Sequence, residues 1–365
     1  MRTTIVFLFF LASTVAADQW TKVAPPDQLG AWTIVADPHD PNVLYADGSG
    51  SRLWKTVDGG AHWSATTLTL PRFYGAKILA EAGRPSAITA VYSSTDDYLS
   101  RSIDGGASWT TRTFKPPISG TPASVAVDAQ NPDILYVSLS QFCFGGCTRG
   151  GVIKSTNGGR NWSTLLADVS AAEIYTDPIT SSLVYVNTSK GIQRSMDGGA
   201  TWRTILSSGA GAFLMDPTGG KTLYAIGTYV LRSDDRGKTW KATFTSPPQS
   251  WAVSGIFGGT VNPNDPDDLT IRRGTGGIYR SRDGGARWAA LNVGLDDPLN
   301  PGSVAVAYDV SYTASGVLWA ASNAGLHFLD TTLGPPPVVE EPVPTPVIPG
   351  PPLVPPPFRR RAVGH

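Results

Sequence analysis

Six side chains of the Asp or Asn type recur in one nine-residue context, and a ring of such groups could bind a metal ion or a polar ligand. They and the tryptophans that follow are Asp58, Asp104, Asn157, Asp197, Asp235, Asp283, Trp63, Trp109, Trp162, Trp202, Trp240 and Trp288. An Asp in such a Gly-rich context can also accept hydrogen bonds from backbone N–H groups further along its own turn. Because every copy has these local donors, we expect structural turns rather than ligand sites.

The spacing of the nonapeptide predicts the architecture. The interval between copies ranges from 38 residues (197 to 235) to 53 residues (104 to 157), which is typical of one four-stranded propeller blade. Short β-rich runs such as 134–137 and 183–186 precede the copies, so each unit reads as strands a, b, c and d with the nonapeptide between c and d.

The number of units sets the number of blades. Seven units can be counted, but the seventh lacks the nonapeptide, and residues 19–23, with Trp20, resemble the segment that follows each copy. We therefore predict an all-β fold, a single seven-bladed β-propeller of four-stranded blades whose N-terminal strand closes the last blade. A six-bladed ring with an irregular cap is the alternative.

The two ends of the chain differ from the repeats. Residues 1–17 have the basic, apolar and small-residue regions of a signal peptide, which predicts export to a periplasmic or extracellular location. Residues 18–333 are assigned to the propeller and 334–365 to a Pro-rich disordered tail, which could contact an envelope or membrane surface.

Basic and acidic residues number 29 each, so no global basic field favours a nucleic-acid partner.

The two cysteines, Cys143 and Cys147, predict a local disulfide in an oxidising compartment. They could instead be metal ligands, but none of the four histidines is near them in sequence. We expect no metal site, no cofactor and a monomer.

The nonapeptides resemble the Asp box, Ser-x-Asp-x-Gly-x-x-Trp, of the sialidase-type (BNR) repeat superfamily, over about residues 20 to 330. That superfamily includes sialidases, xyloglucanases, sortilin-type receptors and photosystem II assembly factors, so the resemblance implies the fold more strongly than the function. Sialidases of the superfamily use an arginine triad, a Tyr–Glu nucleophile pair and an acid/base Asp. The early Arg-Ile-Pro motif is missing here, and neither Glu81 nor Glu173 lies in a recognisable nucleophile motif. In layout the chain is closest to the single-propeller assembly-factor and sortilin-like binding members.

The b–c and d–a loops share one face of a propeller, and their composition makes that face the expected site of binding. Their candidate residues are Arg72, Tyr74, Asp96, Asp97, Phe142, Phe144, Trp251, Arg272 and Arg273. Aromatic rings beside charged groups suit a glycan or a protein partner. The first hypothesis is a non-catalytic exported propeller that binds a protein or glycan through this face. The alternatives are a sialidase-like glycoside hydrolase and a membrane-complex assembly factor; if the chain is an enzyme, we expect a glycosidase.

Overall fold

A computed structural model describes residues 18–23, 31–48, 52–70, 76–93, 96–140, 150–227, 229–244, 255–273, 277–297 and 302–329. Within these ranges the chain forms seven antiparallel sheets of four strands each and no helix. The same part of the chain therefore contains no helix with the length and apolar character that a membrane crossing requires.

Six blades are each built from four consecutive strands. Blade 1 contains β2 (Ala31–Ala36), β3 (Leu44–Gly48), β4 (Arg52–Thr56) and β5 (Ser64–Thr69); blade 2 contains β6 (Lys77–Ala80), β7 (Ile88–Ser93), β8 (Asp97–Ser102) and β9 (Thr110–Phe114). Blade 3 contains β10 (Thr121–Val127), β11 (Leu135–Ser140), β12 (Gly151–Ser155) and β13 (Ser163–Ala167); blade 4 contains β14 (Ala171–Thr176), β15 (Val184–Thr188), β16 (Gly191–Ser195) and β17 (Arg203–Leu206). Blade 5 contains β18 (Ala212–Met215), β19 (Leu223–Ile226), β20 (Val230–Ser233) and β21 (Lys241–Phe244); blade 6 contains β22 (Ile256–Asn262), β23 (Asp265–Arg273), β24 (Gly277–Ser281) and β25 (Ala289–Ala290).

Blade 7 is assembled from both ends of the propeller. It contains β26 (Ala307–Tyr312), β27 (Leu318–Ser322) and β28 (Gly325–Leu329), and β1 (Thr21–Val23) adds antiparallel to β28 as its fourth strand. The first strand of every blade contacts the first strand of the next, from β2 through β26 and back to β2. The seven blades therefore form a closed ring with these strands around the axis, which confirms the predicted seven-bladed propeller and its N-terminal closure.

The residues beside β1 join it to the neighbouring blade as well. Trp20 is buried, its backbone N–H donates to Val293 at 3.0 Å, and its indole Nε1 donates to the Leu291 carbonyl at 2.6 Å. The Asp18 carboxylate lies 3.3 Å from Nη2 of Arg282. These contacts cross from blade 7 to blade 6, so the closing segment stabilises an inter-blade interface in addition to one sheet.

Each nonapeptide forms a hydrogen-bonded turn between the third and fourth strands of its blade. In blade 2, Ser102 Oγ donates to the Asp104 carboxylate at 2.7 Å and accepts from Gly106 N at 2.8 Å, while Asp104 also accepts from Ser108 N at 2.9 Å. The other five copies repeat this pattern. In four of the six copies, hydrogen bonds from the residue four positions further along lower the pKa of the Asp carboxyl to about 2; these are Asp58, Asp104, Asp197 and Asp235.

The tryptophan of the nonapeptide packs between blades. Trp63 of blade 1 meets Trp319 of blade 7 edge to face, with ring centroids 6.2 Å apart, and Trp162 of blade 3 meets Phe114 of blade 2 at 5.1 Å. Gly60 makes room for the Trp319 ring beside Trp63, because a Cβ at position 60 would lie 2.3 Å from that ring. The turn thus connects local hydrogen bonding to packing between sheets.

We predict that Trp20→Ala lowers the free energy of unfolding by about 3–5 kcal/mol, because it leaves a cavity and removes the indole hydrogen bond at the closing segment. Urea denaturation of the two proteins measures the difference. Gln19→Ala is the matched control, since Gln19 is the exposed neighbour and its loss should change stability by less than about 0.5 kcal/mol. Equal stability of Trp20→Ala and wild type would contradict this role for the closing segment.

Candidate binding site at the loop face

First strands begin and second strands end on the same side of the ring, which is the face that carries the b–c and d–a connections; we call it the loop face. Near the axis on this face lie side chains from four consecutive blades, which we call the mouth cluster: Trp32, Asp47, Lys77, Arg272, Tyr308 and Asp309. They are far apart in sequence, and the closed ring brings them together.

An aromatic pair forms the exposed part of the mouth cluster. The rings of Trp32 (blade 1) and Tyr308 (blade 7) are stacked, with centroids 4.6 Å apart and planes inclined by 19°. Half of Trp32 is exposed, which leaves a large apolar surface beside the mouth of the channel in contact with solvent. Stacked rings with free surface offer a flat apolar platform to a ligand.

Two carboxylates lie beside this platform and share one partner residue. Thr33 N donates to Asp47 Oδ1 at 2.8 Å, and Thr33 Oγ1 donates to Asp309 Oδ2 at 2.7 Å. Trp32 N donates to Asp47 at 3.1 Å, so the backbone of the aromatic platform is tied directly to one of the two acids. The two carboxylates are therefore close neighbours on adjacent blades.

Asp47 differs from the Asp residues of the nonapeptides in its ionisation. Burial raises its pKa to about 7, with a smaller contribution from the negative charge of Asp309, although two backbone N–H groups and Lys77 act in the opposite direction. A carboxyl group that is protonated near neutral pH can donate a proton or a hydrogen bond to a ligand.

Glu173 of blade 4 and Arg272 of blade 6 interact electrostatically, although blade 5 lies between their blades. Burial raises the pKa of Glu173, whose Oε2 accepts a hydrogen bond from Asn187 Nδ2 at 2.9 Å. Tyr175 lies on the same side of β14 as Glu173, and its hydroxyl donates to the Phe213 carbonyl at 3.0 Å. Burial lowers the pKa of Arg272, which the charges of Asp309 and Glu173 oppose.

A glycine lets Arg272 reach the channel from the second strand of its blade. Gly258, with φ of 140°, lies opposite Arg272 in the pairing of β22 with β23, and a Cβ added there would lie 3.1 Å from Nη2. The guanidinium therefore lies over the bare backbone of the innermost strand. A side chain at position 258 would compete for this space.

The predicted candidates are distributed unevenly. Arg272 belongs to the mouth cluster, whereas Arg273 is 2% exposed, with its guanidinium 5.3 Å from the Tyr279 ring. Asp96 is exposed on blade 2, and Asp97 is half-buried, accepts a hydrogen bond from Ser93 at 2.5 Å, and has a pKa raised by burial.

The remaining candidates lie outside the described residues: Arg72, Tyr74, Phe142, Phe144 and Trp251, together with Cys143 and Cys147. Of an arginine triad next to a Tyr–Glu pair, the described residues place Arg272 within electrostatic range of Glu173, which lies two positions before Tyr175 in β14. Within the described ranges, no three His, Cys, Asp or Glu side chains are grouped as metal ligands.

Five residues of the mouth cluster were not among the candidates: Trp32, Asp47, Lys77, Tyr308 and Asp309. Two of them carried a usable signal. Trp32 precedes a run of small apolar residues where crowding around the axis favours small side chains, and Asp47 directly follows the apolar run of strand b. A large ring and a buried acid in those positions depart from the repeat pattern, and such departures mark functional positions.

Comparison with known proteins supports the fold. No protein-family model matches the chain. A probable oligoxyloglucan-reducing end-specific xyloglucanase of Neosartorya fischeri is 27% identical over 300 residues, which cover 73% of this chain and 35% of that protein. The chain thus spans about a third of the length of this curated relative.

Two solved structures have the same fold at low sequence identity. The GH74 xyloglucanase of Xanthomonas campestris is similar with a TM-score of 0.62, 15% identity and coverage of 85% of this chain and 53% of that chain. YCF48 of Cyanidioschyzon merolae, a protein also solved bound to D1 peptide, is similar with a TM-score of 0.60, 18% identity and coverage of 85% and 98%. These similar structures include enzymes as well as a peptide-bound propeller.

We predict that the free energy of unfolding of wild type falls relative to that of Asp47→Asn as pH rises from about 4 to about 7. Because the pKa of Asp47 is raised in the folded state, the folded protein holds a proton between about pH 4 and pH 7 that the unfolded protein has released. The contribution of this carboxyl group to the free energy of unfolding is therefore fully present below about pH 4. It falls by about 1 kcal/mol per pH unit and is lost as pH passes 7. The amide keeps an oxygen to accept the two backbone hydrogen bonds. Urea denaturation at several pH values measures the difference, and Asp96→Asn, at an exposed site, is the control. Parallel pH profiles for wild type and Asp47→Asn would contradict a raised pKa.

Proposed function

We propose that this propeller binds a carbohydrate chain at the loop face, with a sugar ring stacked on Trp32 and Tyr308. The observation that carries the proposal is the stacked aromatic pair at the mouth of the channel, in which Trp32 is half exposed. The apolar face of a sugar ring packs well on such a platform, while neighbouring charged groups hydrogen-bond its hydroxyls.

The groups around the platform suit a polyhydroxylated ligand. Asp47 and Asp309 offer carboxyl oxygens, Lys77 and Arg272 offer N–H donors, and all four lie near the same rings. The xyloglucanase relative of Neosartorya fischeri is named for its action on a polysaccharide, which supports a carbohydrate ligand, although this chain covers only 35% of its length. Export by a signal peptide at residues 1–17 and contact of the Pro-rich tail with an envelope surface remain part of the same proposal.

We predict that Trp32→Ala weakens binding to an oligosaccharide by about fivefold or more, because stacking on an aromatic ring contributes on the order of 1 kcal/mol or more. Isothermal titration with xyloglucan oligosaccharides and with oligogalacturonates measures the change. Tyr229→Ala is the matched control, since Tyr229 is 54% exposed on blade 5, a blade that contributes no residue to the mouth cluster. Binding that is unaffected by Trp32→Ala would contradict the proposed site.

A second candidate function is glycoside hydrolysis, and the two neighbouring acids of the mouth cluster favour it. Asp47, protonated near neutral pH, would donate its proton to the glycosidic oxygen as the C–O bond breaks. Asp309 would accept a proton from the water that attacks the anomeric carbon, so that one water molecule is consumed for each bond cleaved.

If the chain hydrolyses glycosides, Asp47→Asn and Asp309→Asn should each lower the rate of reducing-end release by at least about a hundredfold while leaving oligosaccharide affinity within about threefold of wild type. A reducing-sugar assay on the oligosaccharides that bind tests this, with Asp96→Asn as the control. Binding without any release of reducing ends in wild type would leave the non-catalytic function as the correct one.

A further inference from the structure

Two cations of the mouth cluster have no partner among the residues that the structure describes. Neither Arg272 nor Lys77 forms an ion pair within 4.0 Å or a side-chain hydrogen bond there, whereas Arg101, Arg232, Arg236 and Arg280 all pair with carboxylates. Arg272 is half-buried, so its unpaired guanidinium has lost part of its hydration without gaining a counter-ion. Such a group gains most from a ligand that carries a negative charge.

The acids around Arg272 do not occupy its guanidinium. Glu173 and Asp309 are near enough to attract it, but Glu173 is bound by Asn187, and Asp309 is bound by Thr33 and by the backbone N–H groups of Ile34 and Val310. Their hydrogen bonds hold the two carboxylates in position while the N–H fork of Arg272 stays open. A planar guanidinium in this state suits bidentate binding of a carboxylate.

The order of these groups around the ring is regular. Arg272 belongs to blade 6, Tyr308 to blade 7, Trp32 to blade 1 and Lys77 to blade 2, so the two unpaired cations flank the aromatic platform on consecutive blades. A ligand that follows this arc meets a positive charge, an apolar platform and a second positive charge. This order of charges and apolar surface matches a sugar chain in which successive sugar units carry a carboxylate.

We propose that the carbohydrate bound at the loop face is a uronate, with one sugar ring stacked on Trp32 and Tyr308 and carboxylates paired with Arg272 and Lys77. The inference rests on the proposed carbohydrate-binding function and names its ligand class. Gly258 is part of the site, because its lack of a side chain allows Arg272 to lie across the innermost strand toward the ligand.

The test uses the full chain and two probes with the same sugar backbone, a galacturonic acid trimer and its methyl ester, in which a methyl group replaces the negative charge of each carboxylate. We expect the acid to bind at least about tenfold more tightly than the ester at low salt, and the preference to shrink as ionic strength rises. Arg272→Ala and Lys77→Ala should each reduce affinity for the acid by about tenfold more than they reduce affinity for the ester. Arg112→Ala is the control, since Arg112 is exposed on β9, outside the mouth cluster.

The outcomes separate this inference from the function on which it rests. Equal affinity for acid and ester, or an acid preference that both substitutions leave intact, would overturn the uronate assignment while carbohydrate binding stands. Failure of both trimers and of a neutral xyloglucan oligosaccharide to bind would overturn the carbohydrate function, and the uronate assignment with it. Gly258→Ala provides an independent check, because it should lower affinity for the acid through the position of Arg272 without removing any charge.

Discussion

Closure of the ring is the constraint on which the rest of this structure depends. An open propeller would expose the edge strands of its first and last blades, and the pairing of β1 with β28 removes this problem by joining the two ends of the propeller. Once the ring is closed, the first strands of all seven blades surround one axis. Side chains that begin these strands, or end the second strands beside them, converge on the loop face whatever their separation in sequence.

The same residue type serves two purposes because the two faces of the ring differ in environment. Hydrogen bonds from their own turns hold four of the nonapeptide acids, lower their pKa and keep them charged; these are Asp58, Asp104, Asp197 and Asp235. Asp47 is buried next to another acid, which raises its pKa toward neutrality. The first environment stabilises a turn, and the second leaves a carboxyl group whose charge can respond to a ligand.

The sequence was sufficient to predict the blade count and the closure, because the nonapeptide and the strand runs repeat and the Trp20 segment supplies the missing strand. It was not sufficient for the mouth cluster, which consists of departures from the repeat on different blades. Arg272 and Arg273 illustrate the difficulty. Adjacent residues on a strand point to opposite sides, so one arginine lies toward the channel and the other packs on Tyr279, and composition alone could not distinguish them.

The central claim is that the loop-face mouth is a carbohydrate site, and a crystal structure of the chain with an oligosaccharide bound tests it most directly. The account predicts a sugar ring packed against the exposed face of the Trp32–Tyr308 stack, with its polar groups directed toward Asp47, Asp309 and Arg272. Ordered ligand on the opposite face, against the Asp turns, or on the outer strands with the mouth empty, would contradict it.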